Sequence, residues 1–241
     1  MSKDDIFKLT DAGPGTFEFN DSVAEVFTDM LKRSVPGYEA SLEAIAILAR
    51  CYGRAGTRCY DLGCSLGAST LAMRRNIVEP DCEIVAVDLS PAMIGRCRKI
   101  VDADDTDLPV SIRVEDVRDV AIEHASLVVL NYTLQFIPIN DRSRLVRRIY
   151  DGLIDGGVLI LSEKVVDEDP AIEGLLIELH HEFKSANAYS DLEIARKRMA
   201  LEEVLIPEST AAHLERLAEA GFNHRSVWLK HFNFVSILGV R

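Results

Sequence analysis

Between residues 21 and 33 (DSVAEVFTDMLKR) the apolar positions Val23, Val26, Phe27, Met30 and Leu31 share the three- and four-residue spacing of one helix face, with Asp21 placed to cap it. SVPGY interrupts this helix. A second, about 39–51, repeats the spacing through Leu42, Ile45, Ala46 and Ala49 before Gly53 and Gly56 end it. The two predict an N-terminal helical cap over 21–52, behind a polar and loosely ordered start. From Cys59 the pattern changes to short apolar runs (RCYDLG, EIVAVDL, VSIRVED, SLVVLNY, VLILSEK), with helical stretches near 67–76, 91–101 and 141–153, the last stopped by Gly156-Gly157. Near-continuous apolar strands alternating with helices are the pattern of a parallel sheet covered on both faces, so five β-α units of a doubly wound α/β fold are expected.

At about 168 the alternation gives way to two helical patterns in succession. The first carries Ile172, Leu175, Leu176, Leu179 and Phe183; the second opens on the capping box Ser190-Asp-Leu-Glu193 and runs towards Pro207. They predict a helical lid inserted over 168–207 in a single domain spanning 1–241. A further helix ends at Gly221, and SVWLKHFNFVSILGV then supplies a terminal strand pair separated by Lys230-His231.

Twenty-seven Lys and Arg against 39 Asp and Glu leave a net charge of −12, which disfavours direct binding to a phosphate backbone. The five cysteines, an odd number without a CxxC pair, indicate neither a disulfide framework nor a zinc site and suit a reducing cytoplasm. Neither a signal-peptide stretch nor an apolar span of about 18 residues is present, so a soluble cytoplasmic protein without membrane association is expected.

The candidate chemistry lies in YDLGCSLGAST, residues 60–70, where a strand ends in Asp61 and turns through Gly63 and Gly67 into a helix. Glycines permit the sharp turn and close approach of backbone to a ligand at a helix start. The second strand ends in Asp88, an acid placed to accept hydrogen bonds from a ribose diol, and the third in Glu115-Asp116, where an acid suits an adenine amino group. Each acid alone could equally be a solvated strand-end carboxylate; the three in series ask for an adenosine-containing ligand. The loop GCSLG departs from G-x-G-x-x-G and holds no Lys or Arg to meet a pyrophosphate, which favours S-adenosylmethionine over a dinucleotide.

The chain resembles the carboxy-S-adenosyl-L-methionine synthase family through VAEVFTDMLKRSVPGY (23–38), YDLGCSLGASTLAMRRNI (60–77), ASLVVLNYTLQFI (125–137), GGVLILSEK (156–164), LHHEFKSANAYS (179–190) and RKRMALEEV (196–204). The resemblance implies a Rossmann-like class I methyltransferase fold with a mostly parallel seven-stranded sheet and an antiparallel C-terminal strand. It implies conversion of S-adenosylmethionine and prephenate to carboxy-S-adenosylmethionine and phenylpyruvate in a homodimer without a metal. A separate tRNA carboxymethyltransferase would use the product on the wobble uridine at position 34 of certain tRNAs. Ligand contacts carried over from the family fall on Tyr38, Gly63, Cys64, Ser65, Asp88, Leu89, Asp116, Val117, Asn131 and Arg198. Arg198 would hold the extra carboxylate with its planar fork, and no proton-transfer group is assigned.

Other readings of these residues stay open. Tyr38 could close the Pro36-Gly37 turn, Asn131 could support the turn that follows it, and Arg198 could pair with Glu202. An ordinary methyltransferase and a non-catalytic adenosyl-binding partner of a tRNA-modifying enzyme are the rival functions. Arg33, Lys164 and Arg196 are candidate cations for the prephenate carboxylates, and Arg142, Arg144, Arg147 and Arg148 read as a solvated basic helix face. His180-His181 are lid-packing residues rather than metal ligands, and Cys64 is a ligand contact whose thiol pKa a helix N-terminus can lower. Two departures from the family pattern stand out: Leu89 where Asn is usual, which leaves only its backbone for a contact, and NAYS for NGYS, which sets an alanine in a turn that favours glycine.

Overall fold

The computed structural model describes residues 4, 18–202 and 204–241, without the side chains of 197, 198 and 200–202. The loosely ordered start expected over the first residues lies, apart from Asp4 and 18–20, outside the described residues. Helix α1, Asp21–Ser34, is capped by the Asn20 side chain, which accepts from the Val23 N–H at 3.1 Å. Asp21, expected as the cap, instead stands in the first turn, where its charge meets the positive helix end. Helix α2, Tyr38–Tyr52, starts after Gly37 in the left-handed region (φ +74°), a turn where a Cβ would lie 2.2 Å from the His231 ring.

Strands β1 (Arg58–Leu62), β2 (Glu83–Asp88), β3 (Val110–Val114), β4 (Ala125–Asn131) and β5 (Leu153–Val166) form the parallel part of one sheet. The two-residue β6 (Glu208–Ser209) pairs with the end of β5. Strands β7 (His224–His231) and β8 (Phe234–Val240) close the edge in the order β3-β2-β1-β4-β5-β8-β7, with β8 antiparallel to both neighbours. Helices α3 (Ala68–Arg74), α4 (Pro91–Asp102) and α5 (Ile139–Gly152) follow β1, β2 and β4. The third expected β-α unit lacks its helix: residues 115–124 pass from β3 to β4 without one.

Successive residues of β2 and β5 enter opposite layers, as the two-residue strand period requires. Val85, Val87, Leu159 and Leu161 pack with Leu145 and Ile149 of α5 and with Leu217, whereas Ile84, Val158 and Ile160 pack with Ile45 and Ala49 of α2 and Met73 of α3. Gly156-Gly157, expected to stop the fifth helix, lie inside β5, where the register with β4 shifts. The helix ends instead at Gly152, where a Cβ would meet the Ile122 carbonyl oxygen at 2.3 Å, and Leu153 behind it is already extended.

The two helices expected as a lid are α6 (Pro170–Ala186) and α7 (Asp191–Glu202), with the expected capping box at Ser190 and Glu193. None of the 17 residues of α6 is buried. Helix α8, Thr210–Glu219, precedes Gly221 and the final hairpin. Among the described residues no helix is long and apolar enough to cross a membrane.

The expected solvated basic face of α5 holds for Arg144 and Arg147 but not for Arg142 and Arg148. Arg142 is fully buried, ion-paired to Glu208 at 2.5 Å and donating to the carbonyls of Gln135, Ile137 and Ile206, while Arg148 donates to the Val117 carbonyl. Arg144 and Arg147 pair with Asp141 and Asp151. A guanidinium can be buried in this way because nearly every N–H finds an acceptor. Replacing Arg142 by Met is expected to lower unfolding free energy by about 3–5 kcal/mol, read from urea denaturation, because three carbonyls and one oxygen of the Glu208 carboxylate lose a donor together.

Candidate active site

The sheet order reverses between β1 and β4, and a crevice at such a reversal, beyond the carboxyl ends of the strands, is where open α/β sheets place ligands. After β1 the chain passes through Gly63 (φ +84°), Ser65 (φ +48°) and Gly67 (φ +85°) before α3 begins. The N–H groups of Gly63 and Cys64 both donate to the Val87 carbonyl, at 2.8 and 2.9 Å, which binds the turn to the end of β2. A Cβ at Gly63 would lie 2.3 Å from Thr133 Oγ1, so the turn and the loop after β4 meet there with room only for glycine.

Asp88 organises both neighbouring loops. Its Oδ2 accepts the Ser65 N–H and its Oδ1 the Ser90 N–H, each at 2.9 Å. A carboxylate has about four acceptor positions, so two remain for a diol. Burial raises its pKa against these backbone donors. Leu89 beside it is 66% exposed. Asp116 is gripped by Arg118, whose guanidinium also reaches Asp141, and the Arg118 hydrogen bond chiefly lowers its pKa. Val117 is buried in the core, its carbonyl taken by Arg148.

Asn131, the last residue of β4, donates to Ser69 Oγ at 3.1 Å, and its buried Oδ1 has no hydrogen-bond partner among the described residues. An acceptor left unmet in the crevice suits a donor group on a ligand. Tyr38 is 8% exposed, with its ring 6.4 Å from that of Tyr132. Burial, with the nearby Asp61 carboxylate, raises the phenol pKa, so Tyr38 stays a neutral donor. The structure therefore gathers Tyr38, Gly63, Cys64, Ser65, Asp88 and Asn131 round the carboxyl ends of β1, β2 and β4. The Arg198 side chain, with its possible Glu202 partner, lies outside the described residues.

Two expectations change and a third holds. Cys64 is buried and its thiol pKa is pushed up, by the hydrogen bond to Cys97 and by burial, so it is an inert packing group rather than an activated thiol. Arg33 is not available to a prephenate carboxylate, because it donates to the carbonyls of Asn187 and Ala188. His180 packs edge-on against Phe234 and contacts the Ser34 carbonyl, which agrees with a lid-packing role.

Two buried acids also stand at the site: Asp61, read from the sequence only as one of three strand-end acids, and Glu163, which sequence reasoning passed over. Asp61 accepts from Thr70 Oγ1 at 2.5 Å and is held up to about 7 by desolvation. Glu163 accepts the Leu134 N–H at 2.9 Å, leaves Oε2 without a partner among the described residues, and is raised to about 8 by desolvation. The visible signal for Glu163 was an acid at the end of an otherwise apolar strand. A recess of about 590 Å³ lies far from these groups, at the amino ends of the strands between Arg58, Cys82, Glu83 and His124.

Residues 59–157 match a family described as Methyltransferase domain. A carboxy-S-adenosyl-L-methionine synthase of Citrifermentans bemidjiense is 51% identical over 239 residues, covering 99% of this chain and 98% of the relative. One of Marinobacter nauticus is 52% identical, covering 96% and 93%. The chain belongs to the carboxy-S-adenosyl-L-methionine synthase family, and so to a family of enzymes. Solved methyltransferase structures share the fold: human N-acetylserotonin methyltransferase in complex with SAM has a TM-score of 0.61 at 18% identity, covering 92% of this chain and 55% of that one. A Mycobacterium tuberculosis cyclopropane synthase has a TM-score of 0.55 at 18% identity, covering 76% and 62%. The Asp88 carboxylate, the glycine turn and the unmet Asn131 oxygen fit the adenosyl ligand of such enzymes.

Because burial raises Asp61 above the ordinary carboxylate range, its proton favours the folded state; that contribution is complete below about pH 4 and is lost as pH rises through about 7. A cationic sulfonium ligand favours the ionised form instead. Its affinity, measured by calorimetry, is expected to increase by up to about tenfold per unit as pH rises towards 7 and to level off above it, with a flatter profile in Asp61→Asn.

Proposed function

We propose that this enzyme converts S-adenosylmethionine and prephenate to carboxy-S-adenosylmethionine, phenylpyruvate and water. The observation that carries the proposal is identity of about half the residues with carboxy-S-adenosyl-L-methionine synthases over nearly the whole chain, lid included. The N-acetylserotonin methyltransferase and the cyclopropane synthase, which share the fold, are each 18% identical. In this reading Asp88 accepts the ribose diol, Asp116 and Val117 meet the adenine, and Asn131 with the Gly63-Cys64-Ser65 turn receives the amino-acid end. Tyr38 closes the crevice as a neutral hydroxyl, and Arg198 holds the transferred carboxylate, which an ordinary methyl transfer does not require.

The prephenate framework loses its carboxyl group as carbon dioxide and its hydroxyl as water while the ring becomes aromatic. The sulfonium methyl gives up one proton and gains the carboxyl carbon, so atoms and charge balance. The chain's part is to orient both partners and exclude water. The product would serve a separate transferase acting on the tRNA wobble uridine, and a net charge of −12 suits a protein that does not grip the tRNA itself. The same reading makes the protein a cytoplasmic homodimer through α6, where Ile172, Leu175, Ile177 and Leu179 are 37–49% exposed.

Incubation with S-adenosylmethionine and prephenate should yield phenylpyruvate and a product heavier than S-adenosylmethionine by one carbon and two oxygens, read by mass spectrometry. Arg198→Ala should lower kcat/KM by about 100-fold or more, as expected for loss of a bidentate charge-assisted pair. Absence of both products with the wild-type enzyme would return the protein to the ordinary methyltransferases.

A further inference from the structure

The last turn of α1 carries Arg33, which is 8% exposed although it is a long cation. Its Nε donates to the Asn187 carbonyl and its Nη2 to the Ala188 carbonyl, both at 2.7 Å. Nη1 donates to the Asp4 carbonyl at 3.1 Å and pairs with Asp29 at 3.3 Å. The guanidinium carbon stands 3.8 Å from the centroid of the Tyr189 ring, whose hydroxyl donates to the Asp4 carboxylate. A single side chain thus takes two consecutive carbonyls of the α6–α7 turn and stacks on the third residue, a geometry open to a planar fork and closed to an ammonium group.

Helix α1 in turn roofs the crevice. The Phe19 carbonyl just before it accepts Ser90 Oγ at 2.5 Å, beside Asp88, and the Phe19 ring packs at 5.3 Å on Phe136, after β4. Val23, Phe27 and Met30 pack on Met93 at the start of α4. Beyond α7, the Ile206 N–H donates to the Gln135 carbonyl at 3.0 Å and Val204 packs into the Met93 cluster. Helix α7 is therefore held at its two ends, by the Arg33 fork at the turn before it and by the loop after β4 at the segment behind it.

We propose that Arg33 is a positioning residue that docks the α6–α7 turn on α1 and so sets α7, with Arg198 upon it, at the adenosyl-ligand crevice. The proposal rests on the function proposed above only for what Arg198 does once placed. The docking itself follows from the contacts of Arg33. Lysine at this position keeps the charge and loses the fork, so it separates docking from net charge.

The test uses the full-length enzyme as wild type, Arg33→Lys and Tyr189→Phe, the last retaining the ring under the guanidinium. Hydrogen exchange is followed with and without S-adenosylmethionine, alongside the S-adenosylmethionine Kd and the prephenate KM and kcat. Arg33→Lys should lose about tenfold or more in amide protection over 186–195 while the strands keep theirs. Its S-adenosylmethionine Kd should stay within about threefold, and its prephenate KM should rise about tenfold with a smaller change in kcat. Tyr189→Phe should retain most of the protection. Unchanged protection at the turn overturns the docking, and so does an equal loss throughout the sheet, which would make Arg33 a general stabiliser. Lost protection with unchanged prephenate kinetics overturns the positioning role. If the wild type makes no carboxylated product, the function proposed above fails, and exchange in S-adenosylmethionine alone still decides whether Arg33 docks the turn.

Discussion

Two backbone N–H groups from different loops converge on the carboxylate of Asp88, and the crevice takes its shape from that convergence. Ser65 reaches it because the turn after β1 passes through left-handed conformations, and Ser90 because α4 begins directly behind β2. An acid that already receives two fixed donors is oriented before any ligand arrives, so the entropy of ordering it is met during folding rather than binding. The collision that a side chain at Gly63 would suffer with Thr133 carries the constraint across to the loop after β4, where Asn131 ends its strand. Three strand ends are thus held in register by one carboxylate and one absent side chain.

Beneath this crevice lies an unusual amount of buried charge. Arg142 and Arg216 share Glu208, at 2.5 and 2.6 Å, and Arg142 also lowers the otherwise raised pKa of Glu163. His213 beside Arg216 is held down to about 4, first by burial and then by the cation, so it stays neutral. The network joins α5, α8, β6 and the turn after β4, and it ties the end of the lid insertion to the sheet. Its value is geometric: buried ion pairs add little net stability but tolerate few alternative arrangements.

The strands, the cap helices, the lid and the Ser190-Glu193 capping box were legible because each is written in residues close together along the chain. The positions of Asp88 and Asn131 were legible for a related reason: strand ends in an alternating pattern fall at one edge of the sheet. What escaped depends on distant partners. Nothing in the spacing of Arg142 tells that its acceptors lie 5 to 66 residues away, and Arg33 finds its carbonyls 154 and 155 residues on. A guanidinium reads as surface until such acceptors are known. The missing helix before β4 and the displacement of Gly156-Gly157 into β5 came from short segments where a turn, a bulge and a helix stop use the same residues.

Ala188 holds the α6–α7 turn at φ +63°, a conformation that favours glycine. An alanine in this region stores about 1–2 kcal/mol of local strain that glycine would not. The strain exists only while the turn keeps this shape, so it acts against the Arg33 fork and favours a released α7 by a factor of about five or more. A glycine at this position would relieve that strain and leave the Arg33 fork holding the α6–α7 turn against less opposition.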